Sequence, residues 1–254
     1  MDFPKWPIPR KHRDVTIIDL NESCSLVIAC DSAGGIGPKA GDTIKVSGYI
    51  LGRLTARVAL MEVLAVGAWP ICVINTLSVE PFPTGREITL GVYDEISVLG
   101  IDAEQILTGS TEKNIPTIQS GMGITVVGLV EKTSLRACCP EKGDVFVLLG
   151  LPKVGNEVVL DDYETVDLLT VKNLLTSNMI KEIIPVGSRG VKAEVEMLID
   201  LYNLNFAWKD YFHGLDILRS AGPATCIIVV GDLNVINKIS KQVEKPLTIL
   251  GDVI

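Results

Sequence analysis

The residues best suited to chemistry lie in one stretch, Ala29-Cys-Asp-Ser-Ala-Gly-Gly-Ile-Gly-Pro-Lys-Ala-Gly41. The apolar run 26–30 reads as a strand that delivers the carboxylate of Asp31 to its C-terminal end. Gly34, Gly35 and Gly37 follow, and then Lys39. Glycines let backbone N–H groups close on an anion, Lys39 adds a point charge, and Asp31 offers the hard oxygen ligands that Mg²⁺ takes. These parts suit a chain of phosphates; a solvent-exposed glycine turn after a strand is the plainer alternative. The spacing is not Gly-x-x-x-x-Gly-Lys-Ser/Thr. Pro38, Gly41 and Asp42 also oppose the helix that a dinucleotide fingerprint would need here.

Phosphoryl transfer asks a protein for positioned oxygens, metal ligands and charge neutralisation. Two further places offer them. Glu62 interrupts the apolar helical face Ala59-Leu-Met-Glu-Val-Leu, and a buried acid is costly unless paired or metal-bound. The alternatives are a wet helix edge or an ion pair with Arg53 or Arg57. The second place is Leu107-Thr-Gly-Ser-Thr-Glu-Lys113. There Thr108, Ser110 and Thr111 supply hydroxyls, Gly109 a close backbone, Glu112 a metal ligand and Lys113 a cation; an ordinary hairpin loop is the alternative. Asp42 adds a carboxylate in a second turn. Nucleophilic and zinc chemistry are poorly provided for, with two histidines (His12 and His213, both read as surface residues) and six cysteines lacking Cys-x-x-Cys spacing. The aromatic residues of 206–212 read as helix–loop packing before a ring-binding pocket.

The elements that must carry these groups follow from periodicity. Strands are expected at 15–19, 25–30, 71–77 and 122–131, and helices at 49–67 and 85–99, each stopped by a glycine. The polar stretch 132–143 reads as a linker. Beyond it come strand 144–150, helix 164–175, strand 182–186, helix 191–203, strand 225–230, helix 233–243 and strand 247–254. This predicts an α+β fold in two domains, 14–131 and 144–254, the second of ferredoxin-like character, behind a basic, proline-containing arm at 1–13. The 254 residues are 47% hydrophobic and 21% charged, ample for two cores. A net charge of −8 argues against an electrostatic hold on nucleic acid or an anionic membrane. The absence of an apolar leader or an uninterrupted apolar span, with unpaired cysteine usage, reads as a cytoplasmic protein.

In order along the chain, six segments resemble the superfamily of aminoimidazole ribonucleotide synthetase, thiamine-monophosphate kinase, selenophosphate synthetase and the hydrogenase-maturation dehydratase, the PurM-like proteins. Cys30-Asp31 through Lys39 is similar to the family's Asp-Gly-Val-Gly-Thr-Lys segment, and Met61-Glu62 through Pro70 to its Asn-Asp-Leu…Gly-Ala-x-Pro helix. Thr108-Gly-Ser-Thr111 resembles its Gly-Gly-acid-Thr turn, and Gly143-Asp144-Val the opening of its second domain. Pro185-Val-Gly-Ser-Arg-Gly190 and Ile249-Leu-Gly251-Asp-Val resemble its later turn and its terminal strand.

The resemblance implies a two-domain PurM-like chain whose N-terminal mixed α/β sheet domain pairs in a homodimer. It further implies ATP and Mg²⁺ in a groove, and ATP-driven phosphorylation of a small molecule. Asp31, Lys39 and Glu62 would be catalytic, with Asp31, Glu62 and Glu112 on the metal. Gly34, Gly35, Gly37, Thr108, Gly109, Ser110 and Thr111 would hold the nucleotide, and Ser188 and Arg189 the substrate. The family's Asn-Asp has become Met61-Glu62, its acid Ser110, and its second-domain Asp and Gly have become Val186 and Arg189. These departures imply a divergent substrate. The wording around Asp31, Glu62 and Thr108 is most similar to the α-ribazole kinase-like branch, which implies transfer to a ribose 5′-hydroxyl in salvage of the cobalamin lower ligand. Other ATP-dependent reactions of the scaffold, such as ring closure or thiamine-phosphate phosphorylation, and a non-catalytic nucleotide-binding role stand as alternatives.

Overall fold

A computed structural model describes residues 7–254 apart from 178, 213 and 240–242. The expectations for residues 1–6 of the arm, for His213 and for the end of helix 233–243 lie outside the described residues. The first half runs β1 (Arg10–His12), β2 (Val15–Asp19), β3 (Cys24–Gly34), β4 (Ile36–Gly37), β5 (Ile44–Lys45), α1 (Gly48–Ala65), β6 (Trp69–Leu77), α2 (Arg86–Ser97), α3 (Ala103–Ile106), β7 (Leu107–Thr111) and β8 (Gly121–Glu131). Six of these strands make one sheet in the order β1-β2-β3-β8-β6-β7, antiparallel except for the β6–β7 pair. Period-two alternation decides its faces. Val27, Ala29, Ile124 and Val126 turn inward beneath α1, whereas Leu26, Ile28, Val127 and Leu129 stand half-buried or exposed on the other side.

Helix α1 begins where the Ser47 hydroxyl accepts a hydrogen bond from the Ile50 amide at 3.2 Å. It ends in a Schellman motif, with the Gly67 and Ala68 amides donating to the Leu64 and Val63 carbonyls. α1 and α2 pack unusually closely, because a Cβ on Gly52 would lie 2.1 Å from the Ile88 carbonyl and one on Gly91 2.1 Å from that of Tyr49. No side chain larger than hydrogen fits at either position. Beside this crossing, the buried Glu95 carboxylate of α2 accepts from Arg53 Nε at 2.5 Å and Arg57 Nε at 2.7 Å of α1.

The second half contributes β9 (Val145–Leu149), α4 (Leu168–Leu174), β10 (Ile180–Pro185), α5 (Gly190–Tyr202), β11 (Phe206–Trp208), β12 (Ile227–Gly231), α6 (Leu233–Ile239) and β13 (Leu247–Val253). They form an antiparallel sheet in the order β10-β12-β9-β13-β11. All five residues of β9 are buried, as expected of a central strand covered on both faces. Val145, Val147 and Leu149 join the core of the first half, while Phe146 and Leu148 pack against α5 residues Val191, Val195 and Leu198. One apolar core therefore runs from the first sheet through α1 to the second.

Two expectations, for the arm with His12 and for the aromatic segment, need correction. Residues 10–12 of the arm form an edge strand, and His12 is buried, its Nε2 3.4 Å from Glu182 Oε1. Within the stretch 132–143, Arg136 donates to the carbonyls of Ile180 and Leu175 at 2.7 and 2.8 Å. The aromatic residues expected in helix–loop packing begin with an edge strand, β11, whose Phe206 stacks edge-to-face on Phe146 at 4.8 Å. Three residues are too few for a period-two pattern to register.

Candidate functional site

Where the C-terminal end of β3, the apolar face of α1 and the loops of the second half meet, they enclose a cavity of about 1000 Å³. Asp31 lies on its wall, on the same face of β3 as Val27 and Ala29. The strand continues past it to Gly34 instead of ending there, so the turn proper starts at Gly35 (φ +70°) and Gly37 (φ +146°). The long strand has a partner all the way, since β8 pairs with it residue for residue from Glu131 to Gly121. Asp42 ties the turn to the 118–120 segment. Its carboxylate accepts from the Ser120 amide (2.6 Å), the Ser120 hydroxyl (2.7 Å) and the Lys39 amide (2.8 Å). Burial pushes Asp42 up, but these donors outweigh it and its pKa is lowered.

Glu62 enters the cavity from α1. Leu51, Leu54, Val58 and Glu62 recur at three- and four-residue steps and line it as one stripe. Neither partner considered for Glu62 is available, because Arg53 and Arg57 both hold Glu95. Glu62 is only 7% exposed, and its Oε2 has no hydrogen-bond partner among the described residues. Burial lifts its pKa to about 8; the charges acting on it are, strongest first, Arg13, Asp14, Glu194 and Asp31. Burial also raises Asp31 and Glu194. Arg13 donates to the Ile183 carbonyl at 2.9 Å with its Nε 3.5 Å from Glu182, while its buried Nη2 has no hydrogen-bond partner among the described residues.

From the second half come Gly187, Ser188 and Arg189, leading into α5, and the buried Glu194 of its first turns. Arg189 is well exposed and its Nη2 sits 3.5 Å from Glu194 Oε2. Among the described residues the cavity is thus lined by four carboxyl groups, Asp14, Asp31, Glu62 and Glu194, against one guanidinium. Asp14 and Glu194 escape a reading of the sequence. Glu194 looks like any polar residue of an amphipathic helix, and Asp14 like the end of a charged arm.

The remaining expected site residues lie elsewhere. Gly34 reaches the cavity, but Gly35, Gly37 and Lys39 do not line it. The Lys39 ammonium pairs with Glu80 at 2.5 Å and donates to the Thr117 carbonyl at 3.0 Å. Thr108, Gly109, Ser110 and Thr111 form strand β7, not a loop after a strand, and line a separate groove of about 540 Å³ with Asn75, Tyr93 and Lys113. Gly109 passes so close to Asn75 that a Cβ would overlap the Asn75 side chain. Register fixes the separation. Asp31, Ile124, Asn75 and Gly109 stand opposite one another across four strands, which puts three strand spacings, about 14 Å, between Asp31 and Gly109. Glu112 lies beyond this edge strand, its carboxylate accepting from the Asn114 and Ile115 amides at 2.6 and 3.2 Å. It is not brought to Asp31. Among the described residues no three His, Cys, Asp or Glu side chains gather closely enough to hold a metal ion.

Residues 12–130 match the family model described as AIR synthase related protein, N-terminal domain. No curated protein matches the chain. Among solved structures, T. maritima PurL complexed with ADP has 16% identity over 98% of this chain at a TM-score of 0.71, and this chain spans 43% of its length. Thiamine-monophosphate kinase from Stenotrophomonas maltophilia K279a has 15% identity over 98% of this chain and 89% of its own, at 0.64. E. coli HypE, a hydrogenase maturation protein, has 16% identity over 90% of this chain and 79% of its own, at 0.67. At such identities the shared property is the fold.

Proposed function

We propose that this chain is a PurM-like, ATP-dependent phosphotransferase acting on a small molecule in the cavity between its two halves. The observation that carries the reading is the convergence of Asp31 and Glu62, from a strand and a helix 31 positions apart in sequence, on one cavity beside a glycine turn. Its volume can take the phosphate end of a nucleotide together with an acceptor. The match of residues 12–130 and the ADP complex of T. maritima PurL support a nucleotide as one occupant.

The donor set fits Mg²⁺ in the way that ion is ordinarily held, through one or two carboxylates with phosphate oxygens and water completing the shell. Asp31 would hold it, and when bound it neutralises charge on the transferring phosphoryl group. The chain's own residues do the rest. The backbone about Gly34 lies against the Asp31 wall, where it can receive phosphate oxygens. Ser188, Arg189 and the N-terminus of α5 face across the cavity, an arrangement that favours negative charge at that rim. Lys39 would reach a phosphate only by leaving Glu80. Thr108 and Ser110, about 14 Å away across the sheet, would contact a far part of the nucleotide or of a second subunit's ligand.

The acceptor we favour is the 5′-hydroxyl of α-ribazole, on the strength of the resemblance around Asp31, Glu62 and Thr108. Ring-closing or thiamine-phosphate chemistry would differ only in the cavity wall. A second reading is a member that binds nucleotide without turnover, since among the described residues no three His, Cys, Asp or Glu side chains gather closely enough to hold a metal ion. The second sheet's order, β10-β12-β9-β13, with helices joining β9 to β10 and β12 to β13, supports a ferredoxin-like second domain. The uncovered outer face of the first sheet, with Leu26, Ile28, Ile74, Val127 and Leu129, supports pairing of two N-terminal domains. ADP release with MgATP and a panel of ribosides and phosphorylated vitamins tests the activity. Asp31→Asn should lower turnover by orders of magnitude and keep the fold; wild-type turnover in that variant rejects the assignment.

A further inference from the structure

We propose that Glu62, with Glu194 and Asp14 on the same cavity lining, forms a subsite for a positively charged nitrogen base with an apolar body on the acceptor substrate. This rests on the reading above only in placing an acceptor in the cavity. The first observation is the orphaned Oε2 of Glu62, more than nine-tenths buried, lining the cavity and lacking a donor among the described residues. A buried carboxyl oxygen without a donor costs free energy, and a ligand N–H supplies one. The second is the charge balance. Arg189 is the one cation on the wall among the described residues, it already faces Glu194, and its side chain is 60% exposed. Arg13 is the strongest charge acting on Glu62, but it stands outside the lining, donating to the Ile183 carbonyl with its Nε 3.5 Å from Glu182.

The third observation is the apolar part of the lining. Leu54, Val58, Val158 and Val186 line the same cavity as the carboxyls, so apolar surface and an acceptor oxygen are offered together. An amidinium or a protonated heteroaromatic ring meets both demands with N–H donors and a flat apolar body. A phosphate or carboxylate on that end of the substrate would meet carboxyl groups, with Arg189 the one cation of the lining among the described residues.

The test uses the full chain with benzamidine as probe and benzoate as its anionic counterpart, measured by titration calorimetry or ligand-observed NMR. Wild type should bind benzamidine and not benzoate. Glu62→Gln, which keeps the volume, should weaken benzamidine about tenfold or more. Glu194→Gln serves as the second variant should Glu62→Gln fail to fold, and should weaken it as well. Benzoate binding as well as benzamidine, undetectable benzamidine binding, or unchanged affinity in the folded variants overturns the subsite. A thermal shift by MgADP in the same samples reports on nucleotide binding separately, so loss of that shift counts against the phosphotransferase reading and not against the subsite.

Discussion

Replacing Glu62 with glutamine should stabilise the protein at alkaline pH and change it little near pH 4.5. In the folded chain burial lifts the Glu62 pKa to about 8, against 4.5 for the free side chain. Below 4.5 both states carry the proton and the group contributes no pH dependence. Between 4.5 and 8 the unfolded chain releases the proton while the folded chain keeps it, so each pH unit costs the native state about 1.4 kcal/mol. Above 8 the folded group ionises as well and the loss levels off. Stability from this group is therefore present in acid and lost as pH rises, reaching about 5 kcal/mol as an upper bound. Water entry and relaxation around a cavity-lining carboxyl bring the expected figure to about 2–3 kcal/mol. Glutamine does not titrate and removes the whole dependence. Urea unfolding of both proteins at about pH 5, 7 and 9 isolates the effect, because every other titrating group cancels in the difference. A wild-type-to-variant difference that stays flat with pH would refute the burial argument.

Other consequences are equally specific. Glu95→Ala should cost about 3–5 kcal/mol, because it strands Arg57 in the interior and frees Arg53; denaturant midpoints measure it, and a loss below about 1 kcal/mol would contradict the buried pairing. Gly52→Ala forces a methyl group to within 2.1 Å of the Ile88 carbonyl and should destabilise by about 3 kcal/mol, where an exposed helical site would gain from alanine. MgADP at about a hundredfold excess over its Kd should stabilise the chain by about 2.7 kcal/mol, read as a rise in Tm. An unchanged Tm over a wide concentration range would remove the nucleotide from the reading.

Glycine and apolar periodicity made most of the fold legible. The strand at 15–19 and the helices near 49–67 and 85–99 lie within a few residues of β2, α1 and α2, because each combines a strong local period with a clear stop. β11 and β1 escaped because three-residue edge strands carry almost no pattern and exist only through their partners. The strand read as stopping at Cys30 runs on to Gly34. Its glycine-rich end has low strand propensity, and pairing with β8 overrides it.

Of the candidate site, the residue types and the grouping of Asp31 with glycines were visible in the chain, since an acid in an apolar helical face or before a glycine run is a local anomaly. Which acids share a space was not. Register places Asp31 and Gly109 at opposite ends of one four-strand row, and helix packing commits both candidate arginines to Glu95 and leaves Glu62 to the cavity. Asp14 and Glu194 join it from distant parts of the chain. Local sequence determines what a residue prefers to be; only the folded arrangement decides what it faces, because the energies of buried charge depend on neighbours that the chain order does not reveal.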